Sequence, residues 1–176
     1  MKRLILPILF FCAGVCSAQT ANLLKGDADV EIDPSNMTNG SYSNSTAEAP
    51  KWKLDSTTGY QSPSSIKLLE FCGIGIHDVK LPAGTYTFSF WAKGSEPDTR
   101  AYITVNKQDS SWPVALKNRA DSPIRLTTDW KRYSFTFTAD GVSRYSPYYG
   151  IEKQPAWFDR FMLNAGDRPL DWAPTT

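Results

Sequence analysis

The segment Thr85-Tyr-Thr-Phe-Ser-Phe-Trp-Ala-Lys93 alternates large apolar and polar side chains along its whole length. Successive side chains of an extended strand point to opposite faces, so this alternation predicts a β-strand with one apolar and one polar face. The apolar face carries Tyr86, Phe88 and Phe90, and the polar face carries Thr87, Ser89, Trp91 and Lys93. Such a strand is typical of the boundary between a hydrophobic core and solvent.

Two later segments repeat this alternation. The apolar faces carry Ala101, Ile103 and Val105 in Arg100-Ala-Tyr-Ile-Thr-Val-Asn106, and Tyr133, Phe135 and Phe137 in Lys131-Arg-Tyr-Ser-Phe-Thr-Phe-Thr138. Turn residues separate such segments, and no stretch keeps a helical period for three turns. Antiparallel sheets with one solvated face alternate in this way. We therefore predict an all-β fold, an antiparallel two-sheet β-sandwich of the jelly-roll type.

Residues 1–18 have the pattern of a secretory signal peptide, with a basic pair, an apolar run and small residues before a cleavage point after Ala18. The apolar run is shorter than the roughly 20 residues of a membrane-spanning helix, so we predict cleavage and no membrane association. We expect a secreted protein, extracellular or periplasmic, in which residues 19–176 form a single domain.

Charge and cysteine usage argue against several classes of protein. The formal charge is +1, and it becomes −1 when Lys2 and Arg3 leave with the signal peptide. A near-neutral chain is not typical of a nucleic-acid-binding protein. Cys12 and Cys16 leave as well, so the remaining chain has only Cys72 and forms no internal disulfide. We expect Cys72, which lies in an apolar run, to be a buried and inert thiol.

The sequence contains no recognisable catalytic motif. His77 is its only histidine, and no nucleophile elbow, zinc-protease helix or glycine-rich phosphate loop is present. We therefore predict that the protein is not an enzyme and has no catalytic residue.

Several segments, in this order and spacing, resemble the galactose-binding-like β-sandwich carbohydrate-binding modules that accompany bacterial cellulases and xylanases. They are Asn22-Leu-Leu-Lys-Gly-Asp-Ala-Asp29, Gly59-Tyr-Gln-Ser-Pro-Ser-Ser-Ile-Lys-Leu68, the region from Val79 to Lys93, Thr127-Thr-Asp-Trp-Lys-Arg-Tyr-Ser-Phe-Thr-Phe137 and Trp157-Phe-Asp-Arg-Phe-Met-Leu163. Two departures are Lys25, where the family has Asn, and Asp29, where it has Glu. The resemblance implies the same fold, and it places Trp130 and Trp157 at core positions.

The resemblance also implies a structural calcium ion between the opening segment and the last strand. Asp29 and Asp159 would supply carboxylates, and Asp27 and Ser64 carbonyl oxygens, which suit a hard cation that takes six to eight oxygen ligands. We expect the side chain of Arg160 to point away from Asp159. In the alternative, these carboxylates cap loops or pair with basic side chains.

Members of this family bind sugars by stacking aromatic rings on pyranose rings, with polar side chains bonding the hydroxyl groups. We expect these groups on one face of neighbouring strands, with rings from Trp91 and Tyr102 and donors from Arg100, Asn106, Lys93 and Arg132. Open, coplanar rings of Trp91 and Tyr102 would favour sugar binding, and covered rings would count against it. The alternative is an ordinary polar β-face with a few packing aromatics.

A second possibility is the loop end of the sandwich. Trp112 and the cluster Tyr145-Ser-Pro-Tyr148-Tyr149 lie outside the clearest strands, where exposed aromatic side chains suit recognition. We expect at least one of Tyr148 and Tyr149 to pack at a strand edge instead.

These observations predict a secreted, non-catalytic module that binds a polysaccharide or oligosaccharide and acts alone or beside a separate secreted glycoside hydrolase. Neither nucleic acid nor a membrane is an expected partner. The alternative is a secreted structural or protein-interaction sandwich that binds no sugar.

Overall fold

The computed structural model describes residues 21–24, 38–39, 51–76, 78–108, 114–116 and 123–174. The predicted signal peptide therefore lies outside the described residues. Within them the chain forms strands and no helix. The strands are β1 (Thr38–Asn39), β2 (Trp52–Asp55), β3 (Ser65–Leu68), β4 (Gly73–Gly75), β5 (Val79–Lys80), β6 (Gly84–Gly94), β7 (Thr99–Gln108), β8 (Val114–Ala115), β9 (Pro123–Leu126), β10 (Lys131–Ala139), β11 (Arg144–Ile151) and β12 (Ala156–Ala165).

The strands form two antiparallel sheets. The five-stranded sheet has the order β10-β6-β12-β3-β2, with β6 paired to β10 on one side and to β12 on the other. The seven-stranded sheet follows the path β1-β4-β11-β7-β8, with β5 joined to β11 and β9 joined to β7. The predicted all-β, two-sheet sandwich is confirmed.

The three strands predicted from alternation are present as β6, β7 and β10. On β6 the side chains of Phe88 and Phe90 are fully buried, and on β7 Val105 is fully buried. The apolar side chains of β10 also face the core, although Tyr133 and Phe135 are only partly buried because β10 is an edge strand.

Aromatic rings from both sheets meet at the centre of the core. The ring of Phe90 lies 5.3 Å from Phe158, in the same sheet, and 5.6 Å from Tyr149 on β11 of the other sheet, measured between centroids. Tyr149 in turn lies 4.8 Å from both Phe158 and Phe161. These contacts join the two sheets.

The expectation that each strand has one solvated face is wrong for parts of β6 and β7. Thr87 and Ser89 on β6 are buried, as are Tyr102 and Thr104 on β7. On β6 the C-terminal segment supplies part of the cover, since the hydroxyl of Thr87 donates to the Gly166 carbonyl. A polar residue in an alternating strand is therefore not always exposed.

The last strand, β12, contains an irregularity. Asp159 pairs with Trp91, whereas Met162 pairs with Ser89, so β12 has one residue more than β6 over this stretch. Arg160 takes up the extra residue with a positive φ of 53°. A bulge of this kind changes the direction of side chains, and both Asp159 and Arg160 bond the loop of residues 59–62. The expectation that Arg160 points away from Asp159 is wrong for this reason.

Cys72 is buried beside β4, and burial raises the pKa of its thiol to about 11. The predicted burial of Cys72 is confirmed. A protonated thiol is a poor nucleophile, which agrees with the expectation of an inert cysteine. None of the described residues belongs to a helix long and apolar enough to cross a membrane.

The core predicts how a large side chain contributes to stability. Phe90→Ala should lower the free energy of unfolding by about 3–5 kcal/mol, because it leaves a cavity among packed rings. The matched control Phe71→Ala removes a ring that is 55% exposed. It should change the free energy of unfolding by less than about 0.5 kcal/mol. Urea denaturation measures both variants, and similar losses in the two would contradict this view of the core.

Candidate functional site

The residues predicted to bind sugar do not form one surface. Trp91 and Arg132 pair across β6 and β10 in the five-stranded sheet. Tyr102, which was expected beside them, lies on β7 in the seven-stranded sheet. The prediction of neighbouring strands is wrong because the chain crosses between Gly94 and Thr99 from one sheet to the other. Local alternation cannot show such a crossing.

Trp91 is covered on one ring face. The ring of Tyr60 stacks on it with the centroids 3.7 Å apart and the planes 12° from parallel. Arg132 is also engaged, since its Nη2 donates to Ser89 Oγ at 3.1 Å and to the carbonyl of Leu170. The open Trp91 ring expected from the sequence is therefore not observed, because the loop that carries Tyr60 folds over it.

The other predicted residues meet on the outer side of the seven-stranded sheet. This surface, which we call the tyrosine face, consists of Arg100, Tyr102, Asn106 and Tyr148. Their positions follow from the register of β7 and β11, in which Tyr102 opposes Gly150, Thr104 opposes Tyr148 and Asn106 opposes Ser146. The rings of Tyr102 and Tyr148 are 5.9 Å apart and 14° from parallel.

Glycines make room for the two tyrosine rings. A Cβ atom at Gly73 would lie 2.2 Å from the Tyr148 hydroxyl, and one at Gly150 would lie 2.2 Å from the Tyr102 hydroxyl. The rings therefore lie close to the strand backbone and are held there. Tyr102 is only 7% exposed and Tyr148 only 4%. The expectation of an open Tyr102 ring is therefore wrong.

Polar side chains complete the tyrosine face. Arg100 Nη1 forms a 3.0 Å ion pair with Glu152, and both side chains are about two-fifths exposed. The Arg100 Nε–H group is buried and has no acceptor in the described part of the chain. Asn106 is partly exposed, and its side-chain amide bonds no other described residue. These groups retain free hydrogen-bonding capacity.

The aromatic cluster expected at the loop end lies within a strand. Tyr145, Tyr148 and Tyr149 are all buried on β11, which lies between β4 and β7. Tyr149 packs in the core, and not at a strand edge as was expected for it or Tyr148. The prediction of an exposed rim is wrong for these residues, because Pro147 is accommodated within the strand and does not end it. Trp112 lies outside the described residues.

Asp159 forms the polar centre of the predicted calcium site. Its Oδ2 accepts hydrogen bonds of 2.7 Å from the Tyr60 amide and from Ser62 Oγ, and its Oδ1 accepts one of 2.7 Å from the Arg160 amide. Burial raises the pKa of the Asp159 carboxyl, although these hydrogen bonds favour the ionised form. The carboxylate holds the loop of residues 59–62 against β12.

Oxygen atoms converge beside this carboxylate. The carbonyl oxygens of Ser62 and Ser64 lie 2.4 and 2.6 Å from the point where a Gly59 Cβ would stand, and Ser62 Oγ lies 2.5 Å from it. Oxygen donors suit calcium, so Asp159 and Ser64 fit the ion by their chemistry. Asp27 and Asp29 lie outside the described residues, and within those residues no three His, Cys, Asp or Glu side chains form a group that could hold a metal.

A surface that sequence reasoning missed lies on the outer side of the five-stranded sheet. This Lys–Trp row consists of Lys53, Lys67, Trp157, Lys93 and Trp130. Lys53 pairs with Lys67, Lys67 with Trp157, and Trp157 with Lys93 across adjacent strands, and Trp130 immediately precedes β10. Trp130 and Trp157 are partly exposed, so their assignment to the core is wrong. Lys93 on β6 and Lys67 on β3 lie beside Trp157, and this can be recognised only when the strand order is known.

From Lys67 to Trp130, cations and indole rings alternate along the Lys–Trp row. Lys67 Nζ lies 4.3 Å from the centroid of the Trp157 ring, and Lys93 Nζ lies 5.2 Å from the same ring and 5.5 Å from that of Trp130. These distances are within the range of cation–π attraction. The indole rings therefore hold the two ammonium groups in place.

Trp157 is itself anchored by a carboxylate. Its Nε1–H donates to Asp55 Oδ2 at 2.8 Å, and Thr57 also donates to the Asp55 carboxylate. The Trp157 hydrogen bond, followed by those from Thr57, lowers the pKa of Asp55 from 3.8 to about 2.

Comparison with known proteins supports the predicted resemblance. A family model described as a carbohydrate binding domain matches residues 79–149, which include β6, β7 and β10. No curated protein sequence matches the chain.

Solved structures share the fold at low sequence identity. A family 16 carbohydrate-binding module has a TM-score of 0.56 at 18% identity, with 81% of this chain and 99% of that chain covered. The CBM22-1 xylan-binding domain of Paenibacillus barcinonensis Xyn10C has a TM-score of 0.58 at 16% identity, with 84% and 97% covered. The CBM22-1 and GH10 modules of Clostridium thermocellum Xyn10B, complexed with xylohexaose, have a TM-score of 0.50 at 12% identity, with 70% and 26% covered. The resemblance to galactose-binding-like β-sandwich carbohydrate-binding modules is confirmed.

The anchor of Trp157 predicts a measurable change in acidity. Trp157→Phe should raise the pKa of Asp55 from about 2 towards 3.8, because it removes the indole donor, whereas Trp130→Phe should leave that pKa unchanged. NMR titration of the Asp55 carboxyl measures both. Because the pKa of Asp55 is lower in the folded than in the unfolded state, the ionised carboxylate stabilises the fold at pH values above about 4. This contribution to the free energy of unfolding is lost as the pH falls from about 4 to about 2. An equal pKa in wild type and Trp157→Phe would refute the assignment.

Proposed function

We propose that this chain is a secreted, non-catalytic carbohydrate-binding module. The family match over residues 79–149 and the sandwich fold support sugar binding as its general activity. The carbohydrate-binding modules that share the fold bind their ligands without chemical change, and the sequence contains no catalytic motif. Secretion is supported by the signal-peptide pattern of residues 1–18.

The tyrosine face is the proposed site. The observation that carries this assignment is the convergence of four predicted binding residues, Arg100, Tyr102, Asn106 and Tyr148, on one outer surface of one sheet. Tyrosine combines apolar area with a hydroxyl group that suits the mixed character of a sugar. Sugar hydroxyl groups would supply hydrogen-bond partners for the buried Arg100 Nε–H group and for the Asn106 side-chain amide, which bonds none of the described residues.

We propose a polysaccharide chain, or an oligosaccharide cut from one, as the ligand. Two proteins with this fold are described as a xylan-binding domain and as modules complexed with xylohexaose. The second of these proteins carries its module on the same chain as a GH10 module. By analogy, this chain would act beside a secreted glycoside hydrolase and hold it near its substrate.

A protein-interaction sandwich is the second candidate. The low exposure of Tyr102 and Tyr148 favours it, since buried rings offer a sugar little surface for stacking. Such a domain would bind no polysaccharide, which separates the two functions in a single binding assay.

We also propose a structural calcium ion held by Asp159 and Ser64 together with Asp27 and Asp29. The oxygen atoms that converge beside Gly59 support it. The ion would add a positive charge beside the buried Asp159 carboxylate and stabilise the fold without taking part in chemistry.

If sugar binds at the tyrosine face, substitutions there should lower the affinity for polysaccharides. Asn106→Ala and Arg100→Ala should each weaken binding to xylan and related soluble polysaccharides about ten-fold, because each removes hydrogen bonds worth about 1.5 kcal/mol. Affinity electrophoresis and calorimetry measure the effect. The controls Thr138→Ala and Arg168→Ala alter exposed side chains elsewhere and should bind as wild type does. If a broad panel of polysaccharides shows no binding by the folded wild-type protein, the interaction domain replaces this proposal.

Calcium binding predicts a shift in thermal stability. Millimolar calcium should raise the Tm of wild type by several degrees over its value in a chelator, because an ion that binds only the folded state stabilises it. Asp159→Asn, which removes a charged ligand, should show a much smaller shift. Equal Tm values for wild type with calcium and with chelator would rule out the ion.

A further inference from the structure

The Lys–Trp row carries a concentration of positive charge on one sheet face. Lys53, Lys67 and Lys93 lie on three different strands, and lysine side chains are charged at neutral pH. The alternation with Trp157 and Trp130 orders Lys67 and Lys93 along a line that crosses the sheet. The charges are therefore arranged in a row and are not scattered over the surface.

Within the described residues, no carboxylate forms an ion pair with these lysines. The ion pairs in the described part of the chain involve Lys51, Arg100, Lys107 and Arg144, and none includes Lys53, Lys67 or Lys93. The acidic groups of the neighbouring row have other partners. Asp55 accepts the hydrogen bond from Trp157, and although the charge of Lys67 also helps to lower the pKa of Asp55, the two form no ion pair. Buried Asp159 bonds the loop of residues 59–62. The row thus keeps its positive charge available to a ligand.

Other segments of the chain cover part of the same sheet beside the row, and the row itself remains accessible. Tyr60 lies over Trp91, and the C-terminal segment bonds Arg132 through Leu170. Both contacts are on the strand positions next to the row, and the ring of Tyr60 also borders the row, with its centroid 6.1 Å from that of Trp130. Lys67, Lys93, Trp130 and Trp157 remain partly exposed and Lys53 is exposed. The row therefore forms an open strip beside a covered area.

We propose that the Lys–Trp row is a second binding site, for an anionic polysaccharide that carries carboxylate groups on successive sugar residues. The ammonium groups of Lys53, Lys67 and Lys93 pair with the carboxylates. The indole rings of Trp157 and Trp130 hold Lys67 and Lys93 in position for this pairing. The site lies on the sheet opposite the tyrosine face and does not depend on binding there.

The dimensions of the row suit an extended sugar chain. Neighbouring strands are about 4.8 Å apart, which is close to the length of one pyranose residue, so a chain that crosses the strands presents one residue to each of them. A polyuronate aligned in this way spans the three lysines on β2, β3 and β6. The near-neutral charge of the whole protein, +1 over 176 residues, argues against a nucleic acid, which a broad basic field attracts.

The ring contacts also favour carboxylates over nucleobases. Ammonium groups lie over the Trp157 ring from two strands, so a base would have to displace them in order to stack. A carboxylate pairs with the ammonium groups where they are.

The test compares one polymer in two charge states. Affinity electrophoresis in gels that contain polygalacturonate should retard the wild-type protein, and the fully methyl-esterified polymer, which has the same backbone without the charge, should retard it far less. Lys67→Gln combined with Lys93→Gln should weaken polygalacturonate binding about ten-fold or more, since two charge-assisted contacts are lost. Added salt should weaken the wild-type interaction strongly.

The matched control is Lys80→Gln combined with Lys153→Gln, which removes the same charge from two exposed lysines outside the row. It should bind polygalacturonate as wild type does. Equal losses in the two double variants would show a general charge effect and overturn the site. Equal retardation by a single-stranded oligothymidine would also overturn it, by showing a site for any polyanion. Neutral xylan tests the tyrosine face separately, since hydrogen bonding and stacking there are little affected by salt.

Discussion

The packing of β6 against the opposite sheet is the interaction on which the rest of this protein depends. Phe90 contacts Phe158 within its own sheet and Tyr149 across the core, and Tyr149 contacts Phe158 and Phe161. Cys72 is the one cysteine among the described residues and it is unpaired, so no disulfide supports this part of the fold. Burial of apolar area must therefore hold the two sheets together.

That packing decides which side chains remain for function. A side chain of β6 or β7 that does not enter the core lies on one of two outer surfaces, and the two surfaces differ. On the seven-stranded sheet, Gly73 and Gly150 allow Tyr102 and Tyr148 to lie close to the backbone. On the five-stranded sheet, the lysine and tryptophan side chains of the Lys–Trp row are partly or fully exposed.

Two polar anchors shape the five-stranded surface. Asp159 binds the loop of residues 59–62, which carries Tyr60 onto Trp91. Asn22 joins the opening segment to the end of the chain, since its Nδ2 donates to the carbonyls of Phe161 and Ala173. Both anchors are buried, where an unsatisfied polar group would cost about 1–3 kcal/mol. They hold in place the segments that cover the sheet beside the row.

Alternation along the sequence determined the strands β6, β7 and β10, their inward faces and the sandwich class, because the two-residue period of a strand is a local property of the chain. The resemblance of separate motifs determined the type of sandwich. Asp159 and Ser64 were predicted from the sequence as oxygen ligands, and the structure brings both within hydrogen-bonding distance of Ser62 Oγ. Neither the role of Ser62 nor the other hydrogen bonds that satisfy Asp159 could be predicted from the sequence.

Only the tertiary structure decided which outward side chains share a surface. Trp91 and Tyr102 have the same local pattern, yet they lie on different sheets because the chain crosses the sandwich between β6 and β7. Lys67, Trp157 and Lys93 are far apart in sequence and meet only through the order β3-β12-β6. Strand order results from pairing between distant segments, and so does the covering of Trp91 by Tyr60. A period of two residues contains no information about either.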